Sequence, residues 1–192
     1  RHFHDMVIGR RSKASNTPYV LQPHGSLVRK VKMKVIKSVY DFTFGLHVIR
    51  AASRIIALNK LEAFYAVKLG VSREKIAIIP NGIDLTEYEK LPPRGAFKRK
   101  FNIPEDKKII LYLGRIHSSK GIDLLIKAYA HLVKFMNHKD VFLVIAGPDD
   151  GYLREAISLA SSLHVRKLTL FTGFLSREDK LKALVDADVF VT

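Results

Sequence analysis

A chain of 192 residues, 47% of them apolar, is long enough to bury one sizeable core or two small ones. It contains no Cys, which excludes a disulfide framework, a thiolate zinc site and a cysteine nucleophile, and makes a reducing compartment the expectation. Its 33 Lys and Arg against 18 Asp and Glu give a formal charge of +15, predicting attraction to nucleic acid, anionic lipid headgroups or phosphorylated small molecules.

No stretch approaches the roughly 18 to 20 apolar residues of a bilayer span, and no leading signal segment is visible. Both ends read as cut, because the chain opens on Arg1 and closes on a strand-like run, Asp188-Val189-Phe190-Val191-Thr192. In chain order, Tyr19 to Leu21 reads as a short strand. Val28, Val31, Val35, Val39, Phe42, Leu46 and Ile49 then fall at helical spacing, and Arg29, Lys30, Lys32, Lys34 and Lys37 crowd the first part of that stripe. A basic amphipathic helix of this kind lies on anionic lipid, or it packs its stripe on a sheet and leaves the lysines solvated.

Arg54 to Leu58 and Ile76 to Ile79 are the next strands. The segment 84–106, with Pro92-Pro93, Gly95, Pro104 and the run Lys98-Arg99-Lys100, reads as a linker. Beyond it, Lys108 to Leu113, Val141 to Ala146, Leu168 to Thr172 and Val189 to Val191 are strands, several apolar throughout and so suited to cover on both faces. Ile122, Leu125, Ile126, Tyr129, Leu132, Val133 and Met136 make one helical stripe between the first two of these. Strand and helix in alternation predict an α/β fold of two parallel-sheet units, 1–83 and 107–192, with right-handed crossovers. The basic excess lies mainly in the first part, +11 up to residue 106 against +4 after it.

The segment Leu113-Gly114-Arg115-Ile116-His117-Ser118-Ser119-Lys120-Gly121 joins a buried strand to a helix expected to begin near Lys120. Cations at a helix N-terminus oppose its macrodipole unless an anion is shared there, and a phosphate would receive backbone N–H groups, a guanidinium and an ammonium together. The alternative is an ordinary loop with two solvated cations. The next junction, Ala146-Gly147-Pro148-Asp149-Asp150-Gly151-Tyr152, carries two carboxylates instead, which would cap its helix and repel a phosphate.

Gly114-Arg115 followed by Lys120-Gly121, preceded by Pro80-Asn81-Gly82-Ile83-Asp84 and followed by Ala146-Gly147, Phe171-Thr172-Gly173 and Ala187-Asp188-Val189-Phe190-Val191, resembles the GT-B-fold glycosyltransferases of family 4, the retaining group 1 type. The resemblance implies two Rossmann-like domains, each incomplete here: the end of an acceptor-side domain in 1–83 and the start of a nucleotide-sugar donor domain in 107–192. It implies that Gly114, Arg115 and Lys120 hold the donor diphosphate, that His24 faces the cleft near the donor sugar, and that Gly173, Phe174 and Lys180 lie near the nucleotide base. It further implies transfer of a sugar from a nucleotide diphosphate sugar to a lipid-linked or saccharide acceptor hydroxyl with retention, without a metal or other cofactor. The family's glutamate pair would follow Thr192 and its glycine-rich loop would precede Arg1, so the fragment alone is expected to be inactive.

Asp186-Ala187-Asp188 matches the Asp-x-Asp metal signature of the other large glycosyltransferase fold but stands at a helix end before a strand, and no metal is expected there. His2 and His4 lie at the terminus, and no His-Glu-x-x-His cluster, Gly-x-Gly-x-x-Gly or Walker loop occurs. A nucleic-acid-binding module is the rival suggested by charge, but no RRM, KH or zinc-finger pattern supports it. A sugar-phosphate synthase or nucleotide-sugar epimerase of the same fold is the nearer alternative. The protein is expected to be cytoplasmic, and the basic stripe Arg29 to Lys37 is a candidate membrane or acceptor patch at the inner face of a membrane.

Overall fold

The computed structural model describes residues 3–27, 45–138 and 140–192, and divides the chain into two compact units, Arg1–Ile83 and Asp84–Thr192. The first unit holds α1 (Phe3–Ala14), β1 (Val20–Leu21), α2 (Leu46–Ala51), β2 (Arg54–Ala57), α3 (Lys60–Lys68) and β3 (Ile76–Ile78). Its three strands lie in the order β1-β2-β3, all parallel. The central strand β2 puts Ile55 and Ala57 at zero exposure, and Ile49, Ala52, Ala66 and Val71 close a core around Ile55.

Helix α3 starts on Asn59, whose side chain accepts from the Glu62 N–H at 2.9 Å. The Glu62 carboxylate is buried, yet both its oxygens are used: it accepts from Leu58 N at 2.7 Å and from Gly25 N at 2.6 Å. A buried charge thus fastens the His24-Gly25 turn to the start of α3. Of the basic stripe, Arg29, Lys30, Lys32, Lys34 and Lys37 lie outside the described residues, while Val48 and Ile49 on α2 are buried. Among the described residues no helix is long and apolar enough to cross a membrane.

The second unit runs α4 (Ala96–Lys100), β4 (Lys108–Leu113), α5 (Ile122–Phe135), β5 (Val141–Ala146), α6 (Leu153–Ser162), β6 (Thr169–Gly173), α7 (Arg177–Asp186) and β7 (Val189–Val191). Its sheet order is β6-β5-β4-β7, parallel throughout, so each strand returns through a helix. Ile109 and Leu111 on β4 are fully buried, as a strand paired on both edges and covered on both faces requires. The α5 stripe buries Ile122, Ile126, Tyr129 and Val133, but Met136 is 58% exposed because the helix ends one residue before it. The Tyr129 hydroxyl reaches Val141 O at 2.8 Å and Leu168 O at 3.0 Å, and burial pushes its pKa up.

The stretch 84–106 is not a free linker, since it belongs to the second unit. Phe97 and Ile103 enter the same core as Ile109, Leu111, Val144 and Ala183, and Phe101 packs against it. Asp186, with zero exposure, accepts from Gly95 N at 2.5 Å, Phe97 N at 2.9 Å and Lys98 N at 3.0 Å, so it caps α4 from the far end of α7. Asp188 accepts from Ile109 N at 2.8 Å and pairs with Arg94 at 3.2 Å. The Asp-x-Asp pair therefore holds 94–109 against the sheet. Asp186→Ala would leave three backbone donors without their acceptor, and should lower the stability of the second unit by about 3 kcal/mol. Urea unfolding followed by circular dichroism measures this, and an unchanged midpoint would contradict the assignment of the cap.

Candidate functional site

The carboxyl ends of β4, β5 and β6 open onto a cleft of about 270 Å³ lined by Leu113, Gly114, Arg115, Ala146, Gly147, Pro148, Phe174, Leu175 and Lys180. Open parallel sheets place ligands at this end of their strands. The floor is built by glycines. A Cβ on Gly147 would lie 1.9 Å from the carbonyl oxygen of Gly114, and its φ of +149° is a backbone state that other residues rarely adopt. Sheet-like bonding continues past the strands: Gly114 N donates to Ala146 O at 2.9 Å, Gly147 N to Gly173 O at 2.8 Å, Ile116 N to Pro148 O at 2.9 Å and Asp150 N to Ile116 O at 3.0 Å.

The two strand-to-helix junctions expected to play separate parts are thus two walls of one cleft. Asp149 does cap its helix, its carboxylate accepting from Gly151, Tyr152 and Leu153 N at 3.0, 3.1 and 3.1 Å, and these bonds hold its pKa below the usual carboxylate range. Asp150 does not cap. It pairs with Arg115, Nη1 to Oδ2, at 2.5 Å.

Of the residues singled out from sequence, Gly114, Arg115, Phe174 and Lys180 line the cleft, and Gly173 meets it through its bond to Gly147. Lys120 is not among the lining residues. It ends a 3-10 turn, Ser118–Lys120, and Gly121 in the left-handed region (φ +68°) separates that turn from α5, so the α-helix starts at Ile122 rather than near Lys120. The Lys120 side chain is exposed and has no carboxylate partner among the described residues. Lys180 stands 3.9 Å from Glu87, which also faces Arg177 at 3.7 Å. Phe174 is 80% exposed.

His24 belongs to the first unit, in a turn after β1, with a φ of +47° followed by Gly25 at +77°. Tyr112, not singled out from sequence, supports the cleft from below: its hydroxyl donates to Arg115 O at 3.1 Å, and burial raises its pKa against the opposing pull of Arg115. The signal was a lone phenol in an aliphatic strand, a group that needs a partner when buried. Gly147→Ala should destabilise the second unit by ~3 kcal/mol through overpacking against Gly114. Gly173→Ala, with φ +70° but open space around it, should lose only ~1 kcal/mol. Thermal unfolding of both variants checks the ranking, and equal losses would refute the close approach.

A family model described as Glycosyltransferase Family 4 matches residues 1–87, and one described as Glycosyl transferases group 1 matches residues 93–192. The chain is 31% identical over 127 residues to the D-inositol 3-phosphate glycosyltransferase of Kineococcus radiotolerans, covering 64% of this chain and 29% of that protein. It is 26% identical over 191 residues to the Escherichia coli UDP-Gal:alpha-D-GlcNAc-diphosphoundecaprenol alpha-1,3-galactosyltransferase, covering 96% of this chain and 48% of that one. Among solved structures, Anabaena HepE in complex with UDP and glucose superposes with a TM-score of 0.78 at 19% identity, over 97% of this chain and 49% of the other, which shows the GT-B fold. The chain therefore spans less than half the length of these proteins. With more than half of its 192 residues matched by that model, the chain belongs to the group 1 glycosyl transferases.

Proposed function

We propose that the cleft at the ends of β4, β5 and β6 binds the nucleoside diphosphate part of a sugar donor, and that the whole protein transfers the sugar to an acceptor hydroxyl with retention of configuration. The observation that carries this reading is the gathering of Gly114, Arg115, Phe174 and Lys180 at one cleft in a chain of this family. Arg115 offers forked donors to a phosphate, and the glycine floor lets an anion come close to the backbone. The exposed ring of Phe174 is a stacking surface for a base. Lys120, exposed and without a carboxylate partner among the described residues, is assigned to the diphosphate as a second point charge, although it does not line the cleft.

In the proposed reaction the bond between the anomeric carbon and the diphosphate oxygen breaks while the acceptor oxygen bonds to the same face of the sugar. The acceptor proton passes to the departing phosphate oxygen, so no side chain need act as a nucleophile. The negative charge growing on the diphosphate is met by Arg115 and Lys120, in place of a metal ion. His24, on a turn held by the buried Glu62, is assigned to the sugar side. A lipid-linked or saccharide acceptor is supported by the activity of the E. coli relative, whose acceptor is a GlcNAc-diphosphoundecaprenol.

Arg115→Ala and Lys120→Ala in the whole protein should each lower kcat/KM by roughly tenfold to a thousandfold, the scale of a lost charge-assisted contact of ~1.5 to 4 kcal/mol. Steady-state kinetics with a series of nucleotide sugars measures this, and wild-type values in both variants would remove the diphosphate from this cleft. The basic stripe is assigned to an anionic membrane surface, on which Arg29, Lys30, Lys32, Lys34 and Lys37 should contribute on the order of 1 kcal/mol each. Co-sedimentation with anionic but not neutral vesicles, abolished by salt and by changing the five cations to Gln, is the expected result; equal sedimentation of both forms would defeat it.

A further inference from the structure

The cation at the centre of the proposed site is not free. Arg115 Nη1 lies 2.5 Å from Asp150 Oδ2, and the pair stands half open to solvent, with side-chain exposures of 63% and 40%. The contact is not an accident of two long side chains meeting. Ile116 N donates to Pro148 O and Asp150 N donates to Ile116 O, so the backbone of the two loops is zipped through Ile116, next to the pair. The neighbouring Asp149 spends its carboxylate on three N–H groups of its own loop and helix, which leaves Asp150 the carboxylate turned to Arg115.

We infer that Asp150 is an internal competitor for the diphosphate: it occupies Arg115 when the cleft is empty, and sets the affinity for the anion below what Arg115 alone would give. The inference rests on the proposed donor site. A carboxylate and a phosphate ask the same forked donors of a guanidinium. The pair is exposed and therefore weak enough to exchange, whereas the zipped backbone keeps the Asp150 charge beside the site whichever anion Arg115 holds. Asp150 thus acts through Arg115 and is a positioning residue, holding the guanidinium at the cleft while keeping anion binding reversible. Its counterpart on the other wall is Glu87, 3.9 Å from Lys180, a longer and looser pairing.

The test is a double-mutant cycle on the 192-residue chain, with inorganic pyrophosphate as the probe and titration calorimetry as the readout. Asp150→Asn keeps an oxygen that Arg115 can hold and removes the charge; Asp150→Ser is the second variant, and circular dichroism confirms that each is folded. Both should bind pyrophosphate about fivefold more tightly than wild type, the scale of an exposed ion pair. The gain should vanish when Arg115→Ala is added, because the competition is for that guanidinium. If Arg115→Ala alone leaves pyrophosphate binding unchanged, the donor site itself is misplaced and the inference falls with it. If Arg115→Ala weakens binding but Asp150→Asn and Asp150→Ser leave it unchanged or weaker, the donor site stands and the competitor role is overturned. A gain that persists in the Arg115→Ala background is a general charge effect and overturns it equally, as does failure of both wild type and Asp150→Asn to bind.

Discussion

Packing of Gly147 against the carbonyl of Gly114 is the contact on which the second unit's cleft depends. A methyl group at residue 147 would sit 1.9 Å from that oxygen, so two loops meet where only backbone fits. From that contact the ladder of β4, β5 and β6 extends beyond the strands, through Gly114 to Ala146 and Gly147 to Gly173, then through Ile116 and Asp150. The side chains at the cleft mouth stand on backbone as constrained as the sheet itself. For the proposed donor site, support of this kind fixes the backbone from which Arg115 meets a diphosphate.

Local pairing, more than net charge, decides what such a cleft presents to an anion. The chain carries +15, but the two cations among the lining residues each face a carboxylate, Arg115 with Asp150 and Lys180 with Glu87. Charges separated by more than about 10 Å of salt solution are screened from one another. The excess therefore acts as a diffuse attraction over the surface, while in the proposed site selection among anions rests with these two pairs.

Most of the architecture was legible because it rests on pattern. The strands at Lys108 to Leu113 and Val141 to Ala146 are apolar runs from Ile109 and from Val141 onward, and they appear with those bounds. Helix α5 follows its stripe until Met136, where the repeat continues in sequence but the helix has ended. The segment 84–106 misled because Pro92-Pro93, Gly95, Pro104 and the run Lys98-Arg99-Lys100 read as loop, and the two residues that anchor it, Phe97 and Ile103, show no period. Its decisive partner, Asp186, is some ninety residues away, and no local reading pairs them. At the site, Gly114 and Arg115 were legible from their place after a buried strand. The seat of Lys120 was not, because Lys120 ends a 3-10 turn and the left-handed Gly121 moves the helix start on to Ile122.

Residue type alone also fails to say what a carboxylate does. Asp149 and Asp150 are neighbours, yet one caps its own helix and the other crosses to Arg115, because a short extended stretch turns successive side chains to different partners. Asp186 and Asp188 divide in the same way, one to the N–H groups of α4 and the other to β4 and Arg94. Read as pairs, the first looks like a barrier to anions and the second like a metal signature. Read one oxygen at a time, three of the four carboxylates are occupied with backbone donors that the fold would otherwise leave unsatisfied. The fourth, Asp150, holds a single exposed cation at the mouth of the cleft, so among these four it is the one that a ligand can replace without breaking a cap or a strand.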